Sequence, residues 1–275
     1  MARIVMLSSW VAHGHVGLCA AAPAVQALGH GVTQLPTTIL SNHPGWPRVA
    51  GAPLPAPRIA AMIEALAGNG WLAGVDAVLT GYLPTPAHVD LAVGLIERLQ
   101  AGGARPRVVV DPVLGDDPGG LYIAEDAARA LRDSLVPLAG ILTPNRFELG
   151  WLTGLRADDP EGVLTAAQAL RAGSGARVLV TSTPVSADET GVLGVDTDGA
   201  RLWRSPRRAG VPHGVGDVFA GLVAAGLTPG AALGHLAALI EASLGHDHLQ
   251  IAEAAAEWTG ARPLVAEDMP GVTEG

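Results

Sequence analysis

Hydrophobic and polar positions alternate between two patterns along the chain. Short, continuous apolar runs predict buried strands at 3–7, 76–80, 107–110, 140–143 and 177–181. Amphipathic stretches between them predict helices at 17–28, 57–67, 87–100, 124–133, 161–172, 217–226 and 231–244. This alternation predicts an α/β fold with a mainly parallel central sheet and helices on both faces. Without an internal repeat or a composition break, we expect a single domain over residues 1–275.

Two segments depart from this alternation. Residues 189–195 and 200–205, joined by Asp198 and Gly199, predict a hairpin added at one edge of the sheet. Residues 41–57 are rich in proline and glycine and have no periodicity. A loop of that length favours a functional role over that of a linker.

Polar or turn-forming residues follow each strand run. In sheets of this kind the ligand crevice lies outside the carboxyl ends of the strands. The pairs or triplets at these ends are Ser8-Ser9, Gly81-Tyr82, Asp111-Pro112, Thr143-Pro144-Asn145 and Thr181-Ser182. We therefore expect a polar site at this side of the sheet.

Composition narrows the function classes. Hydrophobic residues make up 49% of the 275 and charged residues 16%, which is typical of a globular chain. A net charge of −9 argues against a nucleic-acid partner, because no basic surface would meet phosphates. A single cysteine excludes an intrachain disulfide and any multi-cysteine zinc site. Neither a signal-like segment nor a bilayer-spanning run is visible, so we expect a cytoplasmic protein without a membrane partner.

The segment GVGD, residues 214–217, places an acid where a turn enters an alanine-rich helix. Free N–H groups at a helix N-terminus attract anions, and Gly214 and Gly216 let the backbone approach a ligand closely. Asp217 is then placed to accept a proton from an attacking hydroxyl. A helix-capping role for Asp217 explains the same sequence equally well. The spacing matches neither the Walker A nor the dinucleotide-binding glycine motif.

Two further segments carry acids near strand ends. Asn145 and Glu148 are three residues apart, so a helix would place both side chains on one face, as oxygen ligands for Mg²⁺. The alternative is a first-turn glutamate that complements the helix dipole. Asp111 follows a buried strand, where an unpaired charge is costly, and precedes a glycine-rich loop able to close over phosphates.

Taken together, these segments resemble the ribokinase-like superfamily, and within it the pyridoxal kinases. The resemblance rests on SSWVAHGHVG (8–17), TTILSNHPGW (37–46), VLTGYL (78–83), DPVLGD (111–116), GLYIAED (120–126), LTPNRFELGWLTG (142–154) and GVGD (214–217). These motifs occur in family order over residues 3–245. The resemblance implies ATP-dependent phosphorylation of the 5′-hydroxyl of pyridoxal and related vitamers, with Mg²⁺. A homodimer and an assisting monovalent cation such as K⁺ are further expectations.

Position in these motifs also implies residue roles. Asp217 matches the catalytic base beside the acceptor hydroxyl, and Gly214, Val215 and Gly216 match its anion hole. Asp111 and Glu148 match the acids that organise the metal and the phosphates. The nucleotide positions implied are Asp111, Asp116, Tyr122, Thr143, Asn145, Glu148, Thr181 and Ser182. The positions implied around the pyridine ring are Ser9, Val16, His43 and Tyr82, and Trp46 or Tyr82 can lie against its face.

Departures from the family pattern fall on the acceptor side. Pro44 stands where the family usually has threonine, and it offers neither a hydroxyl nor an N–H. Trp10 replaces a histidine, and His13 replaces a common tyrosine. Kinase chemistry is therefore better supported than pyridoxal as the acceptor. A hydroxymethylpyrimidine kinase of the same fold and a non-catalytic vitamer-binding protein remain alternatives.

Two pairs of closely spaced histidines raise the question of a metal site. The pairs HGH (13–15) and HDH (246–248) do not predict a transition-metal site, because two histidines two apart share no helix face and no third ligand is evident. His213, directly before Gly214, would either contact phosphate or cap a turn, and the sequence leaves both alternatives open.

Overall fold

A computed structural model describes residues 1–269, and within that range ten strands form one mixed sheet with the order β12-β11-β10-β9-β8-β5-β4-β1-β2-β3. The strands are β1 Arg3–Val11, β2 Gly31–Leu40, β3 Gly51–Pro53, β4 Ala77–Thr80, β5 Arg107–Val110, β8 Ile141–Leu142, β9 Arg177–Pro184, β10 Glu189–Asp196, β11 Gly199–Pro206 and β12 Glu267–Met269. Two short strands, β6 Gly115–Asp116 and β7 Gly120–Leu121, form a separate ribbon.

Helices cover both faces of this sheet, as the sequence predicts. They are α1 Leu18–Ala27, α2 Ala56–Gly68, α3 Pro86–Ala101, α4 Glu125–Ala130, α5 Arg146–Thr153, α6 Pro160–Ser174, α7 Val215–Ala224, α8 Pro229–Ser243 and α9 Ala255–Trp258. A π-helical turn, Leu131–Leu135, and a 3-10 turn, Val136–Leu138, continue α4.

Alternation along β1 divides the core into two layers. Ile4 and Met6 point into the layer that contains α1, α7 and α8. Val5 and Leu7 point to the opposite face and pack with residues of α2, α3 and α6. All four side chains are buried, which explains why this run reads as continuously apolar.

The chain changes direction within the sheet at β1. This strand pairs in parallel with β2 on one side and with β4 on the other, so successive crossovers leave it in opposite directions. A crevice forms at such a switch point, outside the carboxyl ends of the strands. The sheet therefore places the ends of β1, β4 and β5 at the edge where a ligand is expected.

Several predicted elements differ in extent. Ser8 and Ser9 lie inside β1, and Thr181 and Ser182 lie inside β9, rather than following these strands. The predicted hairpin is present as β10 and β11, but β12 pairs outside it, so the hairpin is not the outermost part of the sheet.

The structure also bears on the predictions for segment 41–57 and for membrane-spanning helices. Segment 41–57 is not one long loop, because it contains β3 and the start of α2. Among the described helices, none combines the length and hydropathy required to cross a bilayer.

Candidate active site

A cleft of about 540 Å³ opens beyond the carboxyl ends of β5 and β8. It brings together all eight residues that the sequence assigns to the nucleotide and three residues of the GVGD segment. These residues are Asp111, Asp116, Tyr122, Thr143, Asn145, Glu148, Thr181, Ser182, Val215, Gly216 and Asp217. Their convergence creates a polar, acidic site at the predicted edge, while the role of each residue stays a prediction.

Glu148 joins the loop after β5 to the start of α5. Its Oε1 accepts the N–H of Leu114 and its Oε2 accepts the N–H of Asn145, each at 2.8 Å. Asn145 caps α5 in return, since its Oδ1 accepts the N–H of Glu148 at 2.9 Å. The Asn145 amide also donates to the Gly115 carbonyl at 2.8 Å. Both oxygens of Glu148 are therefore engaged by backbone donors, which the dipole alternative alone would not require.

Three carboxyl groups share the floor of the cleft. Burial, then the charges of Glu148 and Asp217, raise the pKa of Asp111 well above its ordinary value, although the Thr143 hydroxyl donates to its Oδ1 at 3.0 Å. Burial also raises the pKa of Glu148 to about 7, despite its backbone hydrogen bonds. A bound cation would relieve this crowding of negative charge.

The donor set suits a hard cation such as Mg²⁺ only in part. Thr143 donates a hydrogen bond to Oδ1 of Asp111, so the other carboxylate oxygen is available to a metal or to its water. Glu148 would act through water or through its charge, because both of its oxygens accept backbone N–H groups. Within residues 1–269, no three His, Cys, Asp or Glu side chains form a metal-binding group. Phosphate oxygens and water would therefore supply most ligands.

Asp217 is not the N-cap of its helix. Gly214 occupies that position with φ 101°, and α7 has no side-chain capping bond. Burial raises the pKa of Asp217 to about 6, against the lowering effect of the backbone N–H groups of Gly17 and of Asp217 itself, and Gly17 lines a small cavity together with Asp217. The structure therefore disfavours the simple capping alternative and leaves a carboxylate held at the mouth of α7.

Gly214 and Gly17 allow close contacts between backbone segments around Asp217. A Cβ on Gly214 would collide with the backbone oxygen of His15. Gly17 has φ 56°, and a Cβ there would collide with the backbone oxygen of Ser9. Both positions have the positive φ that only glycine adopts readily. The segment 15–17 therefore lies directly against the segment 214–217.

A smaller cavity of about 20 Å³ lies on the other side of this contact. It is lined by three predicted acceptor residues, Val16, His43 and Trp46, and also by His13, Gly14, His15, His213, Asp247 and His248. The His43 and His213 rings stack with centroids 3.9 Å apart and an interplanar angle of 21°.

Two other predicted acceptor residues line neither cavity. Ser9 lies in β1 with its side chain beside Gly17. The backbone N–H of Tyr82 donates to Ser8 Oγ at 3.1 Å.

The β6–β7 ribbon forms one wall of the cleft. Asp117 in its turn pairs with Arg146 at 2.7 Å, which ties the ribbon to α5. Tyr122 follows the ribbon and is half exposed; partial burial and a hydrogen bond with Asp116 raise its pKa. Solvent therefore reaches this wall of the cleft at Tyr122.

The sequence does not reveal the apolar end of the cleft. This end is lined by Val192, Trp203, Phe219, Leu233, Leu236, Ile240 and Leu264. Its shape and chemistry suit a flat heteroaromatic base. Residues of this kind at helix or strand spacing have the same pattern as core residues, so nothing in the sequence separates them.

Backbone strain at the cleft is also invisible in the sequence. Val113 has φ 45° and Ser182 has φ 57°, and both line the cleft. These are the non-glycine residues with positive φ in the described chain. Ser182 lies where β9 shifts register against β10, which explains how a strand residue turns toward the cleft.

Comparison with known proteins gives consistent matches over most of the chain. The phosphomethylpyrimidine kinase family model matches residues 17–242. A pyridoxine/pyridoxal/pyridoxamine kinase of Bordetella avium is 37% identical over 234 residues, covering 84% of this chain and 79% of that protein. A pyridoxal kinase of Leifsonia xyli is 37% identical over 227 residues, covering 81% and 80%. The pyridoxal kinase of Leishmania donovani, solved with ADP and pyridoxine, superimposes with a TM-score of 0.89 at 28% identity, covering 98% and 99%.

Proposed function

Because the chain belongs to the phosphomethylpyrimidine kinase family, and within it to the pyridoxal kinases of the ribokinase-like superfamily, we propose that it transfers the terminal phosphoryl group of ATP to the 5′-hydroxyl of pyridoxal and related B6 vitamers. The observation that carries this proposal is the position of Asp217. Asp217 lines the large acidic cleft and lies beside Gly17, which follows the segment that borders the small histidine-lined cavity. A kinase needs its base at such a boundary between donor and acceptor.

The first step assigned to the chain is proton removal. Asp217 takes the proton of the acceptor hydroxymethyl group as its oxygen attacks the terminal phosphorus of ATP. A pKa of about 6 suits this task, because the carboxylate is ionised at neutral pH and more basic than an ordinary aspartate.

The second contribution is stabilisation of the transferring group. Residues 214–216 open α7 and present their backbone N–H groups at the positive end of its dipole. Negative charge on the terminal phosphate would meet these amides as the bond to ADP breaks. Gly216 lines the large cleft, and because it has no side chain, a phosphate could approach the backbone of this turn closely.

The nucleotide is assigned to the large cleft. Its apolar end, which contains Trp203 and Leu236, would receive the base, and Thr143, Thr181 and Ser182 would face the phosphates. Asp111, with Glu148 behind it, would hold Mg²⁺ through one direct oxygen and through water. When bound, that ion neutralises phosphate charge; a K⁺ ion is a further proposal that rests on resemblance alone.

The acceptor is assigned to the side of Val16, His43 and Trp46. Their cavity of about 20 Å³ can hold a water molecule but is too small for a pyridine ring. A pyridine ring therefore requires the His43 and His213 rings to part. His213 is thus assigned to the acceptor side rather than to a turn cap.

ADP release in the presence of candidate acceptors tests the proposal. We expect Mg·ATP to be consumed with B6 vitamers, and the Asp217→Asn variant to bind vitamer with little turnover. Phosphorylation of 4-amino-5-hydroxymethyl-2-methylpyrimidine alone would favour the rival kinase. The grounds for that alternative are the family description and the likeness to a structure described as a putative phosphomethylpyrimidine kinase of Bacteroides thetaiotaomicron (TM-score 0.84, 25% identity). Vitamer binding without ADP formation would favour a non-catalytic protein.

Two expectations complete the proposal. The homodimer rests on the family resemblance, and the cytoplasmic location rests on the sequence. Size-exclusion chromatography with light scattering and cell fractionation are the corresponding measurements.

A further inference from the structure

The two histidine pairs at opposite ends of the chain meet beside the acceptor cavity. The His248 ring lies 5.6 Å from the His13 ring and 5.1 Å from the His15 ring, between centroids. All three line the small cavity together with Val16. The sequence shows two unconnected motifs, whereas the fold makes one cluster of them.

This cluster contains unused hydrogen-bonding atoms. Nδ1 of His15 and Nδ1 of His248 are buried, and neither has a hydrogen-bond partner among the described residues. Such atoms are rare in folded proteins because each costs about 1–3 kcal/mol. A ligand group that donates a hydrogen bond to them would recover that cost.

The surroundings of His15 favour the neutral form of its ring. Burial lowers its pKa, and the nearby His248 and His13 lower it further against the raising effects of the Leu249 backbone and the charge of Glu253. A neutral imidazole has one unprotonated nitrogen, so the unpartnered Nδ1 can accept a hydrogen bond when the ring proton is on Nε2.

The charges around the cavity also favour a proton donor. Asp247 lines the same cavity, and Glu253 acts on His15 from nearby. Burial and the neighbouring His213 lower the pKa of His43, so this ring is neutral as well. The remaining titratable groups that face the cavity are His13 and His213, and no arginine lines it.

The cluster lies next to the reacting group. Gly17 lies beside the Asp217 carboxylate, and the backbone oxygen of His15 lies against Gly214. Segment 15–17 is therefore within reach of a substituent on the ring carbon next to a hydroxymethyl group presented to Asp217. In pyridoxamine that substituent is an aminomethyl group, and in the hydroxymethylpyrimidine it is an amino group. In pyridoxal it is an aldehyde, which has no proton to donate.

We propose that His15 and His248, together with Asp247, form a subsite for an N–H donor on the ring carbon adjacent to the hydroxymethyl group, so that aminated acceptors, pyridoxamine first, are preferred over pyridoxal. This inference rests on the proposed function. A site with buried acceptors discriminates strongly against analogues that cannot donate to them, because the acceptors are then left unpaired.

The test compares kcat/KM for pyridoxamine, pyridoxal and 4-deoxypyridoxine, in which a methyl group replaces the donor. The wild type should prefer pyridoxamine over 4-deoxypyridoxine by about 10- to 100-fold, from one or two buried hydrogen bonds. The His248→Ala and His15→Ala variants should each reduce this ratio at least about fivefold. The ratio between acceptors cancels any general loss of folding or phosphoryl transfer. His246→Ala, an exposed neighbour outside the cavity, should leave it unchanged.

Two results would overturn the inference. One is a wild type that uses pyridoxal or 4-deoxypyridoxine at least as well as pyridoxamine; the other is an unchanged ratio in both histidine variants. Either result leaves the proposed kinase intact, whereas ADP formation with none of the acceptors would refute the kinase itself. Should His15→Ala unfold, His248→Ala alone still decides the question.

Discussion

Replacing Asp217 with asparagine should remove activity and increase stability in the same protein. The substitution retains the size of the side chain, and its amide oxygen can still accept the Gly17 N–H. Without a base, turnover should fall by about 10²–10⁴-fold, with little change in KM for either substrate. The kcat/KM of the wild type should rise with pH around a midpoint near 6, the pKa of the buried carboxyl in the free enzyme.

The stability gain follows from the same pKa. Burial raises it from 3.8 to about 6, a shift of about 2 units, and each unit corresponds to about 1.4 kcal/mol. Between these values the folded protein binds more protons than the unfolded chain, so folding stability falls as pH rises from about 4 to 6. Asparagine avoids this cost. The variant should therefore be about 1–3 kcal/mol more stable at pH 8, and its advantage should shrink toward pH 4.

Urea unfolding at pH 4.5 and pH 8, combined with ADP-release kinetics, checks both parts. Asp90→Asn, an exposed change in α3, is the matched control and should show no pH-dependent gain. A variant with near-normal turnover would refute the assignment of the base. A variant no more stable at pH 8 than the wild type would refute the argument from burial.

Other consequences of the site can be measured separately. Asn145→Ala should cost about 1–2 kcal/mol and raise KM for ATP, whereas Asp159→Ala, which removes the cap of α6, should cost a similar amount without changing KM. Gly214→Ala should abolish turnover and destabilise the fold, while Gly173→Ala, in open space on α6, should be neutral or stabilise by up to about 1 kcal/mol. Ser182→Gly should be about 1 kcal/mol more stable than Ser182→Ala, since only glycine relieves φ 57°, and both should raise KM for ATP equally if the hydroxyl binds phosphate. Finally, the sequence contains no lysine, since all 17 of its Lys and Arg residues are arginine. Borohydride reduction with pyridoxal 5′-phosphate should therefore label no internal side-chain amine, and a labelled internal peptide would contradict this.

The strands that the sequence predicts differ from the others in how few polar side chains interrupt their apolar runs. Residues 4–7 of β1 and 108–110 of β5 are continuously apolar, and this property predicts both strands. β2 was missed because Pro36 interrupts it and because Thr37 and Thr38, both buried, read as polar positions. Thr37 is accommodated only because its hydroxyl donates to the Tyr82 carbonyl, a contact between distant segments. Local pattern cannot show such pairing.

The site shows the same division. Asp111, Glu148 and Asp217 stand in short motifs, and the sequence brought them to attention. Motifs could not show that backbone donors engage both oxygens of Glu148, or that His248 joins His13 and His15. These arrangements depend on how loops from opposite ends of the chain pack against each other.

The two edge strands of the sheet affect how copies of this protein can associate. At one margin β3 has only three residues and ends in Pro53, which has no N–H to donate. At the other, the described part of β12 has Glu267 and Asp268. Neither margin offers a long row of free backbone groups that a second molecule could extend into a continuous ribbon. Any association of two copies is therefore expected to use helix or loop surfaces, and high concentrations of the folded protein should resist fibril growth.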